Sequence, residues 1–133
     1  MNILFVGDIV GKAGRAILYA RLVSLKPAQR IDFTGVNGEN IAHGAGMTLD
    51  LDDEVLADGV DENTLGNHAY YKSDILAFIQ KSKHLVRPLN MHPQTHGKGI
   101  QEFEVKGKTL RIINLIGSVF MDNVGETPFE AMY

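Results

Sequence analysis

No cysteine occurs among the 133 residues. That removes a disulfide framework and every thiolate metal site, so any metal must be held by oxygen and imidazole. Nowhere do roughly 18 apolar residues run together, and no basic segment precedes an apolar stretch at the start. The sequence therefore reads as cytoplasmic, with no membrane partner. Thirteen basic residues stand against sixteen acidic ones, a formal net charge of -3, and no basic run is present to grip a phosphate backbone. Only a small, local RNA contact is compatible with that charge. Repeats, low-complexity tracts and dividing linkers are also missing. What remains, 44% hydrophobic and 22% charged, is the composition of one folded domain.

Three strand-like runs end alike, on glycine and polar side chains. Asn2 to Val6 leads into Gly7-Asp8, Ile31 to Val36 into Asn37-Gly38-Glu39-Asn40, and Asp61 to Leu65 into Gly66-Asn67-His68. Parallel neighbours lie about 4.8 Å apart, which would bring Asp8, Glu39, Asn40, Asn67 and His68 to one sheet edge. Between the strands, Gly11 to Leu25 places Ala13, Ala16, Ile17, Ala20 and Val23 on one helical stripe. The spacing predicts that this stripe packs on the sheet, that Lys12, Arg15, Arg21 and Lys26 stay in water, and that Pro27 ends the helix.

Thr48 is expected to cap a helix reaching Asp58, with Gly59 after its last turn. Asp50, Asp52, Asp53 and Glu54 then form a solvated face near its positive end; they lack the spacing and central glycine of an EF-hand. Ser73 is expected to cap a third helix with Ile75, Phe78 and Ile79 inward. The order β-α-β-α-β-α predicts a largely parallel sheet with flanking helices. Leu85-Val86 is a further short strand, and a polar loop runs from Met91 to Gly99. Gln101 to Val105 should pair with Thr109 to Leu115 as a hairpin across Lys106-Gly107-Lys108. The segment from Ser118 to Tyr133 carries Phe120, Met121, Phe129 and Met132, too many apolar groups for a tail.

Gly7 to Gly14 invites a phosphate-loop reading but fails it. The spacing from Gly7 to Gly11-Lys12 is one residue short, and Ala13 stands where a magnesium-binding hydroxyl is needed. Asp8 suits a metal ligand or a helix cap. Glu39 can bridge two divalent ions, and the amide carbonyls of Asn40 and Asn67 are neutral hard ligands. His68 fits three roles: a further ligand, a satisfied turn residue, or a proton donor to a leaving oxygen. His92 and His96 read as loop residues, and His43 and His84 as surface or packing residues.

Taken in order, Gly7-Asp8, Asn37-Gly38-Glu39-Asn40 and Gly66-Asn67-His68 resemble the calcineurin-like metallophosphoesterases. The sequence is most similar to their YmdB-like branch, described as 2′,3′-cyclic-nucleotide 2′-phosphodiesterases. That branch lacks the Asp-x-His histidine of the wider superfamily, and here Ile9 and Val10 follow Asp8. Ala42-His43-Gly44 with Gly46, Val86-Arg87-Pro88 with Asn90, and Ile113-Asn114-Leu115 extend the match. The resemblance implies a layered α/β sandwich around two divalent ions, whether iron, manganese or magnesium. Asp8, Glu39, Asn40 and Asn67 would be ligands and His68 the proton donor. The implied substrate is a small phosphodiester, a 2′,3′-cyclic nucleotide, or an RNA end opened at the 2′ bond.

The similarity runs from Met1 to about Met132, and the family's later histidine-bearing motifs have no counterpart here. The expectation is thus one domain over 1–133, about the first half of a layered sandwich and C-terminally truncated. Its uncovered apolar residues, from Ile112 to Leu115 with Phe120, Met121 and Phe129, would then favour a homo-oligomer. The alternative is a non-catalytic remnant that binds nucleotide or a protein partner through the same edge. Glu62-Asn63 and Gly35 stand where the family usually has apolar strand residues, which reads either as a strained or decayed strand or as tolerated variation.

Overall fold

The computed structural model describes residues 1–122 and 124–133. β1 (Ile3–Val6), β2 (Phe33–Asn37), β3 (Glu62–Thr64) and β4 (Leu85–Val86) form one sheet in that order, and every pair is parallel. Parallel neighbours need crossovers long enough to return the chain. These are α1 (Gly11–Ala28), α2 (Leu49–Ala57) and the short α3 (Ile75–Phe78). β5 (Ile100–Val105) and β6 (Lys108–Ile113) make the antiparallel hairpin. Its turn is two residues, Lys106 and Gly107, both at positive φ, the backbone twist that a tight hairpin requires. It is one residue shorter than expected, because Lys108 already pairs with Val105.

Strand residues alternate between two faces. Leu4, Val6, Val36 and Leu85 point toward the helices and join Leu18, Leu22, Val55, Ile75 and Ile79 in the core. Ile3, Phe5, Phe33, Gly35 and Glu62 share the opposite face by register. The hairpin covers part of it, with Phe33 and Phe103 meeting edge to face at 4.9 Å. Ile3 and Phe5 stay exposed.

The inward stripe of α1 is not the one expected. Leu18 and Leu22 are buried, whereas Ala13, Ala16, Ile17, Ala20 and Val23 are exposed. Both stripes have helical spacing, so periodicity cannot choose between them. The rotation is pinned by partners distant in sequence: Arg15 Nη1 donates to the Ile41 carbonyl at 2.9 Å, and the Tyr19 hydroxyl donates to Glu54 at 2.8 Å. Arg15 and Lys26 accordingly leave the water expected for them, with Lys26 Nζ bonded to the Gly59 carbonyl. Pro27 lies inside the last turn, and the helix ends at Ala28. A proline there removes only one near-terminal backbone bond, which a helix end tolerates.

Thr48 caps α2 as expected, its hydroxyl accepting from Leu51 N–H. Asp52 does not join the solvated acidic face. It is buried and takes His84 Nε2 at 2.7 Å, so His84 has a partner 32 residues away. Ser73 makes no capping bond. The first turn of α3 is built instead from backbone bonds such as Leu76 N–H to Ser73 carbonyl. Further on, Asn90 anchors the last segment, accepting from Ile116 N–H and donating to the Ile116 and Glu126 carbonyls. Val119, Phe120, Phe129 and Met132 nevertheless remain exposed.

The departures in β2 and β3 accommodate each other. Gly35 is the register partner of Glu62, and a Cβ on it would stand 2.6 Å from Glu62 Oε2. Gly38 leaves similar room for Asn63, since a Cβ there would collide with Asn63 Oδ1. Glu62 is fully buried, and neither of its carboxyl oxygens has a hydrogen-bond partner. Burial alone pushes its pKa from 4.5 up to about 8.

Candidate functional site

β1, β2 and β3 run parallel, so the loops leaving them meet at one end of the sheet. The β1 loop is tied to the β2 loop by backbone bonds from Ile9 N–H to Asn37 carbonyl and from Gly11 N–H to Asn40 carbonyl. Asp8 adopts a left-handed φ of 38° at the turn. Aspartate is among the few residues that tolerate this region. Its carboxylate then meets the next loop, where Asn40 Nδ2 donates to Asp8 Oδ1 at 2.7 Å.

The same amide reaches the third strand's loop. Asn40 Oδ1 lies 2.6 Å from His68 Nδ1. An amide oxygen only accepts, so Nδ1 carries the hydrogen and Nε2 is left for other work. Asp8, Asn40 and His68 thus form one hydrogen-bonded chain across three strand ends. His68 is half-buried, and its ring meets that of Tyr71 edge to face at 4.9 Å.

Glu39 is placed by the absence of a neighbour's side chain. Its carboxylate lies against Gly66, where any Cβ would collide with Oε1, Oε2 and Cδ. Oε2 also accepts from the backbone N–H of His68 at 3.3 Å. Gly66 is therefore required for close approach rather than for turn geometry. Asn67 is exposed and faces a cavity of about 290 Å³ lined by Tyr70, Tyr71, Met91, His92 and Thr95. Tyr70, Tyr71 and Met91 belong to none of the sequence motifs, and His92 reads there only as a loop residue; the Tyr70-Tyr71 pair directly after the third motif is the available signal. Burial first of all pushes Tyr70 up to about 12, and its hydroxyl donates to the His96 carbonyl. A wider cleft of about 570 Å³, touching Asp32, His84 and Lys106, is lined by none of these site residues.

All five expected residues lie on these strand-end loops, four of them linked by hydrogen bonds and Asn67 opening onto the cavity. The oxygens able to meet a cation are carboxylate or amide, a hard set. Over residues 4–133 the sequence matches the family described as YmdB-like protein. The chain belongs to the YmdB-like family. It is 42% identical over 121 residues to a Bacillus subtilis (strain 168) protein named 2′,3′-cyclic-nucleotide 2′-phosphodiesterase, covering 91% of this chain and 46% of that protein.

Two solved structures share the fold at a TM-score of 0.90 and 36% identity. One is a hypothetical protein from Thermus thermophilus, matched over 99% of this chain and 51% of that one. The other is described as a novel phosphatase from Mycoplasma pneumoniae, matched over 98% of this chain and 48% of that one. The chain spans about half the length of these relatives. Among its described residues no helix is long and apolar enough to cross a membrane.

Proposed function

We propose that this edge belongs to the active site of a metal-dependent phosphodiesterase acting on 2′,3′-cyclic nucleotides or related RNA phosphoesters. The observation that carries the reading is the Asp8, Asn40, His68 chain, which joins a carboxylate to an oriented imidazole through one amide. The activity named for the Bacillus subtilis relative supports it.

The donors suit hard divalent ions such as iron, manganese or magnesium: carboxylates from Asp8 and Glu39, amide carbonyls from Asn40 and Asn67. Among the described residues no three histidine or acidic side chains converge to hold an ion. The amides therefore have to contribute, and affinity is expected to be weak. Two such ions, when bound, draw charge from the phosphate oxygens and make an attacking water more acidic. Asp8 and Glu39 set the local charge. Asn40 keeps the His68 ring turned so that Nε2 can hold the proton that passes to O2′ as the P–O2′ bond breaks. A water oxygen bonds to phosphorus in exchange, leaving a 3′-phosphate.

Metal analysis after loading with manganese tests the reading. The unaltered chain is expected to take up to two ions and to hydrolyse a 2′,3′-cyclic nucleotide. Asp8→Ala and Gly66→Ala should each lose metal, the second by driving the Glu39 carboxylate from its place. No uptake at millimolar manganese together with no hydrolysis would leave the non-catalytic remnant.

Self-association belongs to the same proposal, because Val119, Phe120, Phe129 and Met132 present apolar surface to water. Sedimentation at low micromolar concentration is expected to show oligomers. A monomer with a cooperative thermal transition would mean that these side chains need no cover.

A further inference from the structure

We infer that the cavity beside Asn67 receives the nucleobase of the substrate, with Tyr71 as its stacking surface. The inference rests on the phosphodiesterase reading and specifies how the substrate lies. In a 2′,3′-cyclic nucleotide the base is attached to C1′ and the leaving oxygen to C2′, the adjacent carbon. A group that protonates O2′ must therefore stand next to the base.

The structure contains that juxtaposition. Tyr71 touches the proton-donor ring itself, at a centroid separation of 4.9 Å and an interplanar angle of 69°. It also lines the cavity of about 290 Å³, together with Tyr70, Met91 and His92. Tyr71 is 69% exposed, so its ring is not consumed by the core. Stacking on aromatic side chains with polar groups at the rim is the usual way that unpaired bases are held.

The rim has suitable chemistry. His92 Nδ1 accepts from Gln94 N–H, which leaves Nε2 as a donor toward a base edge. Tyr70 is fixed by its bond to the His96 carbonyl. The arrangement also selects the scissile bond. With the base beside Tyr71, O2′ falls nearer His68 than O3′ does, because O3′ is one carbon further from the base.

Binding of adenosine, which carries no phosphate and needs no metal, tests the base site on the intact chain. Unaltered protein and Tyr71→Phe are expected to bind it alike by ligand-observed NMR, while Tyr71→Ala binds about tenfold more weakly or worse. Equal binding by Tyr71→Ala and unaltered protein, or no binding by the unaltered protein, overturns the inference. Tyr71-dependent binding without phosphodiester hydrolysis upholds the base site and removes only the catalytic reading. Hydrolysis of bis-p-nitrophenyl phosphate with no adenosine binding does the reverse.

Discussion

Alanine at position 68 is expected to lower cyclic-nucleotide turnover by a factor of about 10² to 10⁴, the usual worth of a positioned general acid, while metal uptake stays unchanged. The ring's Nδ1 is committed to Asn40 at 2.6 Å, and Asn40 is itself turned by Asp8 at 2.7 Å. Nε2 is therefore the nitrogen left to carry the transferable proton, which it gives from the doubly protonated ring. The contact between residue 68 and Glu39 runs through the backbone N–H, which alanine keeps, so the carboxylate stays in place. Bis-p-nitrophenyl phosphate should lose far less rate than a cyclic nucleotide, because its phenolate leaves without much protonation. Equal loss on both substrates would deny the acid role. Metal loss as severe as in Asp8→Ala would make His68 a ligand instead.

Stability is expected to fall by about 3 to 5 kcal/mol as pH rises from 4.5 to 8, through Glu62. The folded protein keeps this proton up to about pH 8, whereas the ordinary value is 4.5. Between these values the folded state binds more protons than the unfolded one. Its contribution is thus complete below about pH 4.5 and is lost as pH climbs through 8. Asp32 does not obscure the window, because Lys106 and then the Asn2 N–H hold it below its ordinary 3.8. Urea denaturation at about pH 5.5, 7 and 8.5 should show the midpoint dropping in the unaltered chain and flattening in Glu62→Gln. A midpoint that is constant or rising in the unaltered chain would show that Glu62 ionises without cost, through a partner or water.

The buried glutamate also shows where sequence reasoning reaches its limit. Read along the chain, the polar pair Glu62-Asn63 and the glycine at position 35 have no visible connection. Register makes them complementary, Gly35 leaving the space that the Glu62 carboxyl fills. Asp52 was misplaced for a related reason. Its neighbours in sequence are solvated acids, while the group that draws it inward, His84, comes from the start of another strand. The α1 stripe failed on a choice between two equally periodic faces, which only Ile41 and Glu54 resolve.

By itself the sequence determined the strand and helix order, the parallel sheet, the hairpin and the five residues at the strand ends. Each is local: an apolar run, a glycine and the polar group after it lie within a few residues, and a parallel sheet brings such ends together without further instruction. Tertiary structure alone decided which face of α1 is buried, why residue 66 must lack a side chain, how Asn40 divides its amide between Asp8 and His68, and that Tyr71 and Met91 share a cavity. Those facts depend on distances between segments about 20 to 35 residues apart, and such distances are set by packing rather than by any period or spacing along the chain.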